Sequence, residues 1–334
     1  MNSFLKGKRV LVTGGTGLIG IPLVHHLKDI GTEVRVLSLD DRSPFDDSID
    51  FVRGDICDST VCERAVQDTQ VVFHLAGLKG GIGVAQKKAS TFLVDNTLMN
   101  INIMEAARKS QVERFLYTSS ICIYPPARVF EEENAFSGFP HPSDKFGGMA
   151  KLIGEMQIEA YKLQYNLENF LIARPANTYG PHDNFNPVSA LIIPALIYRV
   201  FCGENPLTVW GDGSVVRDFV YASDVADFMI QMVEQNVNTP LNVGSGNFVD
   251  IKSIAETVIK HAENTLNRKI DIKWDTTKPT GEKYRVTSIK KSQALLGWSP
   301  KVSLDEGIKN TVAWYSKNRT KQIKRHDIMT EGKG

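Results

Sequence analysis

Two kinds of hydrophobic pattern alternate along the first half of the chain. Short apolar runs indicate buried strands, whereas apolar residues that recur every three or four positions indicate helices. Strands are predicted at residues 8–13, 33–39, 50–55, 70–75, 114–119 and 170–174, and helices at residues 18–30, 85–109 and 151–165. Because strands that alternate with helices form right-handed crossovers, the pattern predicts an α/β fold built on a doubly wound parallel sheet.

The alternation ends after Gly180, where prolines at positions 181, 187, 194 and 206 divide the chain into shorter segments. A strand and loop are predicted at residues 209–220, and helices near residues 225–234, 251–261 and 304–318. We therefore expect a first domain at residues 1–180, with returns to its sheet near residues 215–250. Residues 181–320 should form mainly a smaller α/β substrate lobe, and the polar residues 321–334 a flexible tail.

Glycines at positions 14, 17 and 20 lie between the first predicted strand and the first predicted helix. Gly14 permits a tight turn, Gly17 lets the backbone approach a pyrophosphate, and Gly20 lets the helix pack closely on the sheet. The free N–H groups at the start of the helix then face the anion. This arrangement predicts a Rossmann-like domain that binds the dinucleotide NAD(P).

The end of the second predicted strand bears on which dinucleotide is bound. An acidic side chain there would hold the ribose 2′-hydroxyl of NAD, whereas Ser38 with Arg42 could accommodate the 2′-phosphate of NADP. Asp40 and Asp41 lie just beyond Ser38. Because two carboxylates would repel an additional phosphate, we favour NAD slightly, and both alternatives stay open.

Bulk composition argues against several classes of function. The formal net charge of +1 gives no overall field that would recruit nucleic acid or a membrane surface, and no apolar run approaches the roughly 20 residues that span a bilayer. The four cysteines lack metal-ligand spacing and are expected to be reduced thiols. The first strand begins within about ten residues, too early for a signal peptide. We expect a cytoplasmic protein without a bound metal.

Several motifs beyond the glycine loop resemble those of the extended short-chain dehydrogenase/reductases, specifically the NAD-dependent epimerases and dehydratases that act on nucleotide sugars. The resemblance extends over nearly the whole chain, between Lys8 and Trp314. It rests on residues 13–20, 54–56, 74–77, 96, 119–120, 151, 174–181 and 217–219. The resemblance implies an oxidoreductase or isomerase that transfers a hydride at C4 of the sugar.

Within that family the chain is most similar to the branch of GDP-L-fucose synthases. The similarity rests on residues 79–82, 122–125 and 179–185, and on Lys278-Pro279 before a glycine. It implies that the substrate is a GDP-sugar. It also implies a homodimer in which the helices at residues 85–109 and 151–165 form a four-helix bundle. The candidate contact residues are Ile101, Met104, Leu152 and Met156.

The resemblance implies three catalytic residues. Ser120 matches a Ser/Thr that hydrogen-bonds the reacting oxygen, Lys151 matches a lysine that binds the nicotinamide ribose, and Cys122 matches an acid/base thiol. The family's catalytic tyrosine is absent, because Gly147 stands four residues before the lysine. Leu191 stands where fucose synthases have an acid/base histidine. Neither residue can exchange a proton, which argues against the usual tyrosine mechanism and against double epimerisation.

The remaining candidates bind the cofactor or the substrate. Those implied for the cofactor are Gly14, Thr16, Gly17, Leu18, Ile19, Gly20, Ser38, Asp40, Asp55, Ile56, Leu75, Ala76, Gly77, Asn96 and Lys151. Those implied for the nucleotide diphosphate or its ribose are Asn177, Arg199, Arg217 and Arg285. Arginine suits this role because its guanidinium donates two parallel hydrogen bonds to phosphate. Trp210 is expected to pack in the core, with a place beside the base or sugar as the alternative. Tyr124 is expected to be packed, and the alternative is that its hydroxyl substitutes for the missing tyrosine.

Two hypotheses about function follow. The first is an NAD(P)-dependent oxidoreductase or epimerase that acts on a nucleotide sugar. The alternative is a catalytically impaired protein of the same fold that binds NAD(P) and a nucleotide sugar. The glycine at position 147 favours the alternative, whereas Ser120, Cys122, Lys151 and the set of arginines favour the enzyme.

Overall fold

A computed structural model describes residues 3–278 and 280–320 of the chain. Two predictions fall outside these residues: the tail at residues 321–334, and Pro279 of the Lys278-Pro279 motif. In the part of the chain that is described, no helix is long and apolar enough to cross a membrane.

Strands and helices alternate along the described residues. The strands are, in chain order, β1 Arg9–Thr13, β2 Glu33–Ser38, β3 Asp50–Arg53, β4 Val71–His74, β5 Arg114–Thr118, β6 Val129–Phe130, β7 Phe170–Pro175, β8 Asn177–Tyr179, β9 Leu207–Trp210, β10 Val216–Arg217, β11 Phe219–Tyr221, β12 Leu241–Val243, β13 Val249–Asp250, β14 Ile272–Asp275 and β15 Tyr284–Thr287. The helices are α1 Gly20–Ile30, α2 Ser59–Val66, α3 Ile82–Lys87, α4 Ala89–Lys109, α5 Lys145–Tyr165, α6 Ile192–Phe201, α7 Ala222–Gln235, α8 Ile251–Leu266, α9 Lys290–Leu296 and α10 Leu304–Asn318. Two 3₁₀ turns lie at Ile121–Ile123 and Glu132–Asn134.

Seven parallel strands form the central sheet, in the order β12-β7-β5-β4-β1-β2-β3. Successive side chains of β1 alternate between two cores, with Val10 and Val12 in one and Leu11 in the other. Helices α1 and α7 contribute to the first core, and α2, α4 and α5 to the second. The predicted fold class, a doubly wound parallel sheet, is confirmed.

The strand order places a crevice at the carboxyl edge of the sheet. Strand β1 lies between β2 and β4, so the chain leaves β1 toward one side and returns to the other side at β4. Ligands of open α/β sheets bind at this switch point, outside the carboxyl ends of the strands. The loops that follow β1, β2, β4 and β5 therefore converge where the sequence predicts a cofactor.

A separate core lies in the second half of the chain, formed mainly by α6, α8 and α10. Beside it is a four-stranded sheet in the order β13-β10-β15-β6. Strands β10 and β15 are parallel neighbours, and Arg217 pairs in register with Arg285. Strand β12 instead pairs with β7 at the edge of the central sheet.

Two predicted helices differ from those observed. The helix expected at residues 85–109 is two helices, because Lys88 has non-helical dihedrals (φ −117°, ψ 37°) between α3 and α4. The helix expected to start at Lys151 begins six residues earlier, at Lys145. Its first turn packs so closely that a Cβ on Gly148 would collide with the Cys122 carbonyl and lie 2.8 Å from Pro140.

Candidate active site

The glycine loop after β1 makes an anion cradle. Gly14 adopts a positive φ of 67° and donates its N–H to the Leu37 carbonyl at 2.8 Å. A Cβ on Gly14 would lie 2.9 Å from the Ala76 nitrogen, so the loop and the strand end after β4 touch backbone to backbone. A Cβ on Gly17 would meet only the Gly14 oxygen, at 3.1 Å, which leaves the mouth of the loop open. Gly20 has no room for a Cβ above the loop.

The residues after β2 turn back toward this loop. The Thr16 hydroxyl lies 2.7 Å from both the Ser38 hydroxyl and the Asp40 carboxylate. Arg42 points elsewhere: its guanidinium donates to the Ile49 carbonyl at 2.7 Å and pairs with Asp47 at 3.4 Å. The loop that would face the adenosine ribose therefore presents a carboxylate.

The residues predicted to lie near the adenine are held by burial and by one local hydrogen bond. Ile56 and Leu18 are buried, and Ile19 precedes the first residue of α1. The Asp55 carboxylate accepts the Cys57 N–H at 2.9 Å and so holds the turn before α2. Of these predicted residues, Asp55 thus has an evident structural role in the loop.

Three predicted residues converge beyond β4. The buried Asn96 amide accepts the Leu78 N–H at 2.8 Å and donates to the Phe92 carbonyl at 2.9 Å. A Cβ on Gly77 would lie 3.3 Å from the Lys151 Nζ and 3.4 Å from the Asn96 oxygen. Because Gly77 has no side chain and is exposed, the amine and the amide border a common open space. Leu75 and Ala76 link this space to the glycine loop.

Lys151 is held at the end of β5. Its Nζ donates to the Thr118 carbonyl at 2.7 Å and lies 5.1 Å from the centre of the Tyr117 ring. Burial lowers the pKa of the Lys151 amine to about 8, although the nearby Cys122 and Glu155 oppose the shift. The amine and the ammonium are therefore both accessible near neutral pH.

Ser120 and Cys122 follow the same strand. The Ser120 oxygen accepts the Cys122 N–H at 3.1 Å and caps the 3₁₀ turn that begins at Ile121. The Ser120 side chain also forms a hydrogen bond with the Cys122 thiol, so the two predicted catalytic groups lie side by side at the end of β5. Burial raises the pKa of the Cys122 thiol, and Asp144 adds to the effect while Arg285 opposes it. The thiol is therefore protonated at neutral pH.

Gly147 lies in the first turn of α5 and faces space rather than core. A Cβ there would make one ordinary contact, with Phe92 Cδ1 at 3.5 Å. Leu191 precedes the first residue of α6 and has extended dihedrals. The two positions at which the family resemblance implies a tyrosine and a histidine are thus a glycine and an aliphatic residue in this fold.

Tyr124 cannot replace the missing tyrosine, because its ring is buried and its hydroxyl donates inward to the side-chain amide oxygen of Asn242 at 2.7 Å. The same hydroxyl accepts from Arg174 at 3.0 Å. The expectation that Tyr124 is packed is confirmed, and the alternative that its hydroxyl serves catalysis is wrong. Tyr124 is a core residue.

A buried ion pair beneath the site was missed by sequence reasoning. Glu155 and Arg174 are both almost fully buried and meet at 2.7 and 3.0 Å. The Ser119 hydroxyl donates to the same carboxylate at 2.5 Å. The pair joins α5, the helix that carries Lys151, to β7. The bond from Ser119 adds the residue that precedes Ser120 to the same buried cluster. Arg174 occurs in a motif that carries the family resemblance, and Glu155 lies four residues after Lys151 on α5, which is the available sequence signal.

Two of the predicted substrate arginines lie side by side. Arg217 and Arg285 are register partners on β10 and β15. Burial and the charge of Arg285 lower the pKa of Arg217 to about 10. The Arg285 guanidinium pairs with Asp144 at 2.7 Å and interacts with the Cys122 thiol. These contacts connect the predicted diphosphate side to the predicted catalytic side.

The other predicted substrate residues have different surroundings. Asn177 donates its amide to the Asp218 carbonyl at 2.8 Å, next to Arg217. Arg199 instead forms an ion pair with Glu204 and donates to the Thr208 carbonyl at 2.5 Å. The structure therefore gives Arg199 a local role at the end of α6. Trp210 is 57% exposed, so the expectation that it packs in the core is wrong.

Fold and site together define a class of protein. A parallel sheet with a glycine loop at its switch point, and a lysine and an amide converging beyond the next strand, characterises a Rossmann-fold dinucleotide-binding protein. The chain belongs to the NAD dependent epimerase/dehydratase family, whose model matches residues 10–244. In the described residues, no group of three or more His, Cys, Asp or Glu side chains is placed to hold a metal ion.

Similar proteins cover almost the whole chain. Probable GDP-L-fucose synthase 1 of Oryza sativa subsp. japonica is 32% identical over 327 residues, which is 95% of each protein. The epimerase Mth375 of Methanothermobacter thermautotrophicus has a structure with a TM-score of 0.83 and 26% identity, covering 95% of this chain and 94% of that one. A GDP-L-fucose synthetase of Naegleria fowleri, solved with NADP, has a TM-score of 0.81 and 25% identity, covering 95% of each chain.

Proposed function

We propose that this chain is a nicotinamide-dependent oxidoreductase or epimerase that acts at the C4 hydroxyl of a GDP-linked sugar. The observation that carries the proposal is the convergence of Lys151 and Asn96 on the open space beside Gly77, with Ser120 on the adjoining strand end. Family membership supports the reaction class. The GDP-L-fucose synthases among its relatives support the choice of nucleotide.

The described residues fit a dinucleotide. The open mouth at Gly17 suits a pyrophosphate, because a backbone without side chains can approach the anion closely. Lys151 and Asn96 would hold the nicotinamide ribose, and Thr16 with Asp40 would face the adenosine ribose. When bound, the nicotinamide accepts or supplies the hydride of the sugar carbon.

The preferred dinucleotide in this proposal is NAD. The Asp40 carboxylate lies against Thr16 in the glycine loop, where a 2′-phosphate would be repelled. The Arg42 guanidinium, which could attract that phosphate, is engaged by Ile49 and Asp47. The chain would thus differ from the Naegleria fowleri relative that was solved with NADP.

On the substrate side, Arg217 and Arg285 would bind the diphosphate, and Asn177 lies beside them. Because Leu191 cannot exchange a proton, the reaction in this proposal is confined to hydride transfer at C4, without double epimerisation.

The competing function is a protein that binds both ligands without catalysis. The observation that favours it is the open space at Gly147. General acid–base help is worth roughly 10²–10⁴-fold, so the loss of a tyrosine slows a reaction without abolishing it. We therefore propose a slow enzyme rather than an inactive one.

The deciding experiment is single-turnover reduction of the bound cofactor by a panel of GDP-, UDP-, CDP- and dTDP-sugars, each with and without deuterium at C4. The proposal expects the largest rate with a GDP-sugar, an isotope effect, and slower turnover in Ser120→Ala and Lys151→Met. If every nucleotide sugar binds but none reduces the cofactor, the binding-protein function replaces this one.

We also propose that the enzyme is a homodimer that assembles through α4 and α5. Apolar side chains are exposed along these helices: Val94, Leu98, Ile101, Met156 and Leu163. Met104 and Leu152, which were expected at the same contact, are buried in the two cores of the subunit and cannot contribute. The four free cysteines support a reducing compartment such as the cytoplasm.

A further inference from the structure

The missing tyrosine leaves the site without the proton carrier of similar enzymes, and the other ionisable groups near it are engaged. The Tyr124 hydroxyl donates into the core. Arg285 interacts with both the Cys122 thiol and the Asp144 carboxylate. His182 packs against Trp314, with ring centres 4.6 Å apart.

Lys151 differs from these groups in the position of its amine. One of its three N–H donors is given to the Thr118 carbonyl, at 2.7 Å. A Cβ on Gly77 would lie 3.3 Å from the same nitrogen, so the amine borders the space that the exposed Gly77 leaves open. Gly147 lies one helical turn earlier on α5, where a Cβ would contact only Phe92. The absent phenol therefore leaves room for a substrate hydroxyl to approach the lysine.

The charges around Lys151 leave its amine form accessible. The titratable groups that face it are Glu155 on α5, Cys122 on the 3₁₀ turn, His74 on β4 and Tyr117 on β5. The Glu155 carboxylate is held by Arg174 at 2.7 Å, and so its charge is largely matched. Burial lowers the pKa of His74 to about 3, so this ring is neutral. Burial is therefore the main influence on Lys151, and it favours the neutral amine.

We propose that Lys151 is itself the acceptor and donor of the sugar hydroxyl proton, with the hydroxyl entering the space beside Gly147. This inference rests on the proposed function, because it assigns the proton transfer of that same reaction. In similar enzymes the resemblance gives the lysine a supporting role behind a tyrosine. Here the lysine takes the tyrosine's task.

The proton transfer balances within the site. In the oxidising direction the amine lone pair of Lys151 takes the hydroxyl proton and becomes an ammonium, and the O–H electron pair stays on the sugar oxygen. In the reducing direction the ammonium returns the proton to that oxygen. Ser120 donates a hydrogen bond to the same oxygen in both directions.

The first test is a direct titration of the lysine without any ligand. In protein labelled with ¹³C and ¹⁵N at lysine, the Lys151 resonance is identified by its loss in Lys151→Arg. We expect this resonance to titrate near pH 8, as the lowered pKa indicates, while exposed lysines titrate near their ordinary value of about 10.4. A Lys151 resonance that titrates with the exposed lysines would overturn the inference.

The second test compares variants under single turnover. An arginine keeps the positive charge but cannot lose its proton. We therefore expect Lys151→Arg to bind NAD within about threefold of the wild type in calorimetry, yet to lose roughly 10²-fold or more in oxidation rate. Lys109→Arg, on the exposed end of α4, is the matched control. Lys151→Met removes both the charge and the proton carrier, so, if Lys151→Arg proves unstable, its oxidation rate is compared with the wild type at a saturating concentration of NAD.

A third measurement separates this inference from the proposed function. The wild-type oxidation rate should rise with pH and level off above about 8, and Gly147→Tyr should not raise it at pH 7, because the phenol occupies the substrate's space. Wild-type turnover with an unchanged rate and pH profile in Lys151→Arg would refute the role of Lys151 alone. Wild-type protein that binds ligands without turnover would refute the proposed function as well.

Discussion

The Arg285 guanidinium on β15 forms an ion pair with the Asp144 carboxylate immediately before α5, at 2.7 Å. This contact connects the four-stranded sheet β13-β10-β15-β6 to the helix that carries Lys151. A nucleotide diphosphate that reaches Arg285 must compete with the Asp144 carboxylate for the same guanidinium charge.

This contact leads to a prediction about substrate affinity. Arg285→Met should weaken GDP binding by about 10- to 100-fold, because a hydrogen bond to a charged group contributes about 1.5–3 kcal/mol. Arg199→Met should leave GDP affinity unchanged, since Glu204 and Thr208 engage its guanidinium. Calorimetry with GDP measures both. An equal loss of GDP affinity in the two variants would show that Arg199 also binds the substrate.

The glycine loop predicts the effect of added bulk. Gly17→Val places a branched side chain at the open mouth of the loop and should lower NAD affinity by at least about tenfold, because it displaces the pyrophosphate. Gly83→Ala is the matched control, since a Cβ there meets nothing within 4 Å. Unchanged affinity in Gly17→Val, measured by calorimetry, would contradict the assignment of the loop.

The position of Asp40 predicts the cofactor preference. Asp40→Ser removes the carboxylate that lies 2.7 Å from Thr16 and should raise NADP affinity relative to NAD by about tenfold, through the loss of like-charge repulsion. Asp41→Ser is the control, because Asp41 pairs with Arg53 at 2.8 Å. The measurement is the ratio of the dissociation constants for NADP and NAD. A ratio in Asp40→Ser equal to that of the wild type would show that Asp40 does not face the ribose.

Asp218 predicts a pH-dependent stability. Burial raises the pKa of its carboxyl from 3.8 to about 6. A group whose folded pKa is raised stabilises the protein at low pH, and this contribution is lost as pH rises from about 4 to 6. A difference of about two pKa units corresponds to about 3 kcal/mol. Because the side chain in Asp218→Asn stays neutral, this variant should not lose stability as pH rises from about 4 to 6.

The measurement is urea unfolding between pH 4 and 7. The free energy of unfolding of Asp218→Asn should rise relative to wild type across this range and then stay level. Asp47→Asn, at a fully exposed side chain, should track the wild type. Parallel curves for all three proteins would show that folding does not raise the pKa of the Asp218 carboxyl.

The exposed faces of α4 and α5 predict the oligomeric state. Ile101 is 41% exposed and Met156 56% exposed, and a charge at either position would be desolvated in a helix bundle. Ile101→Asp and Met156→Asp should therefore yield monomers by light scattering at micromolar concentration. Leu295→Asp on α9 exposes a comparable side chain elsewhere and should leave the mass unchanged. A monomeric wild type would exclude the dimer.

The central sheet and the glycine loop were predictable because their signals are local. Buried parallel strands are continuous apolar runs, and every predicted strand of the first domain ends within two residues of an observed one. Helix α6 was missed because Pro194 was interpreted as a breaker. It lies in the first turn, where proline costs no hydrogen bond. The division of the chain at residue 180 stays a prediction.

Side-chain environments were less predictable, because they depend on partners distant in sequence. Helices α4 and α5 are apolar on more than one face, so periodicity could not separate the buried Met104 and Leu152 from the exposed Ile101 and Met156. The Trp210 ring lies on a short strand whose outer face is open. Arg199 carries its counter-charge only five residues away, a signal that the family resemblance obscured.

The buried pair of Glu155 and Arg174 has a consequence for how this site can evolve. Removing either partner alone leaves an unmatched buried charge, which costs about 3–5 kcal/mol, so the two positions can drift only together. Gly147 is under no such constraint, because a Cβ there would make only one ordinary contact, with Phe92. The residue at position 147 can thus change during evolution while the pair of Glu155 and Arg174 stays the same. The loss of a phenol at position 147 is a change that this scaffold tolerates without refolding its surroundings.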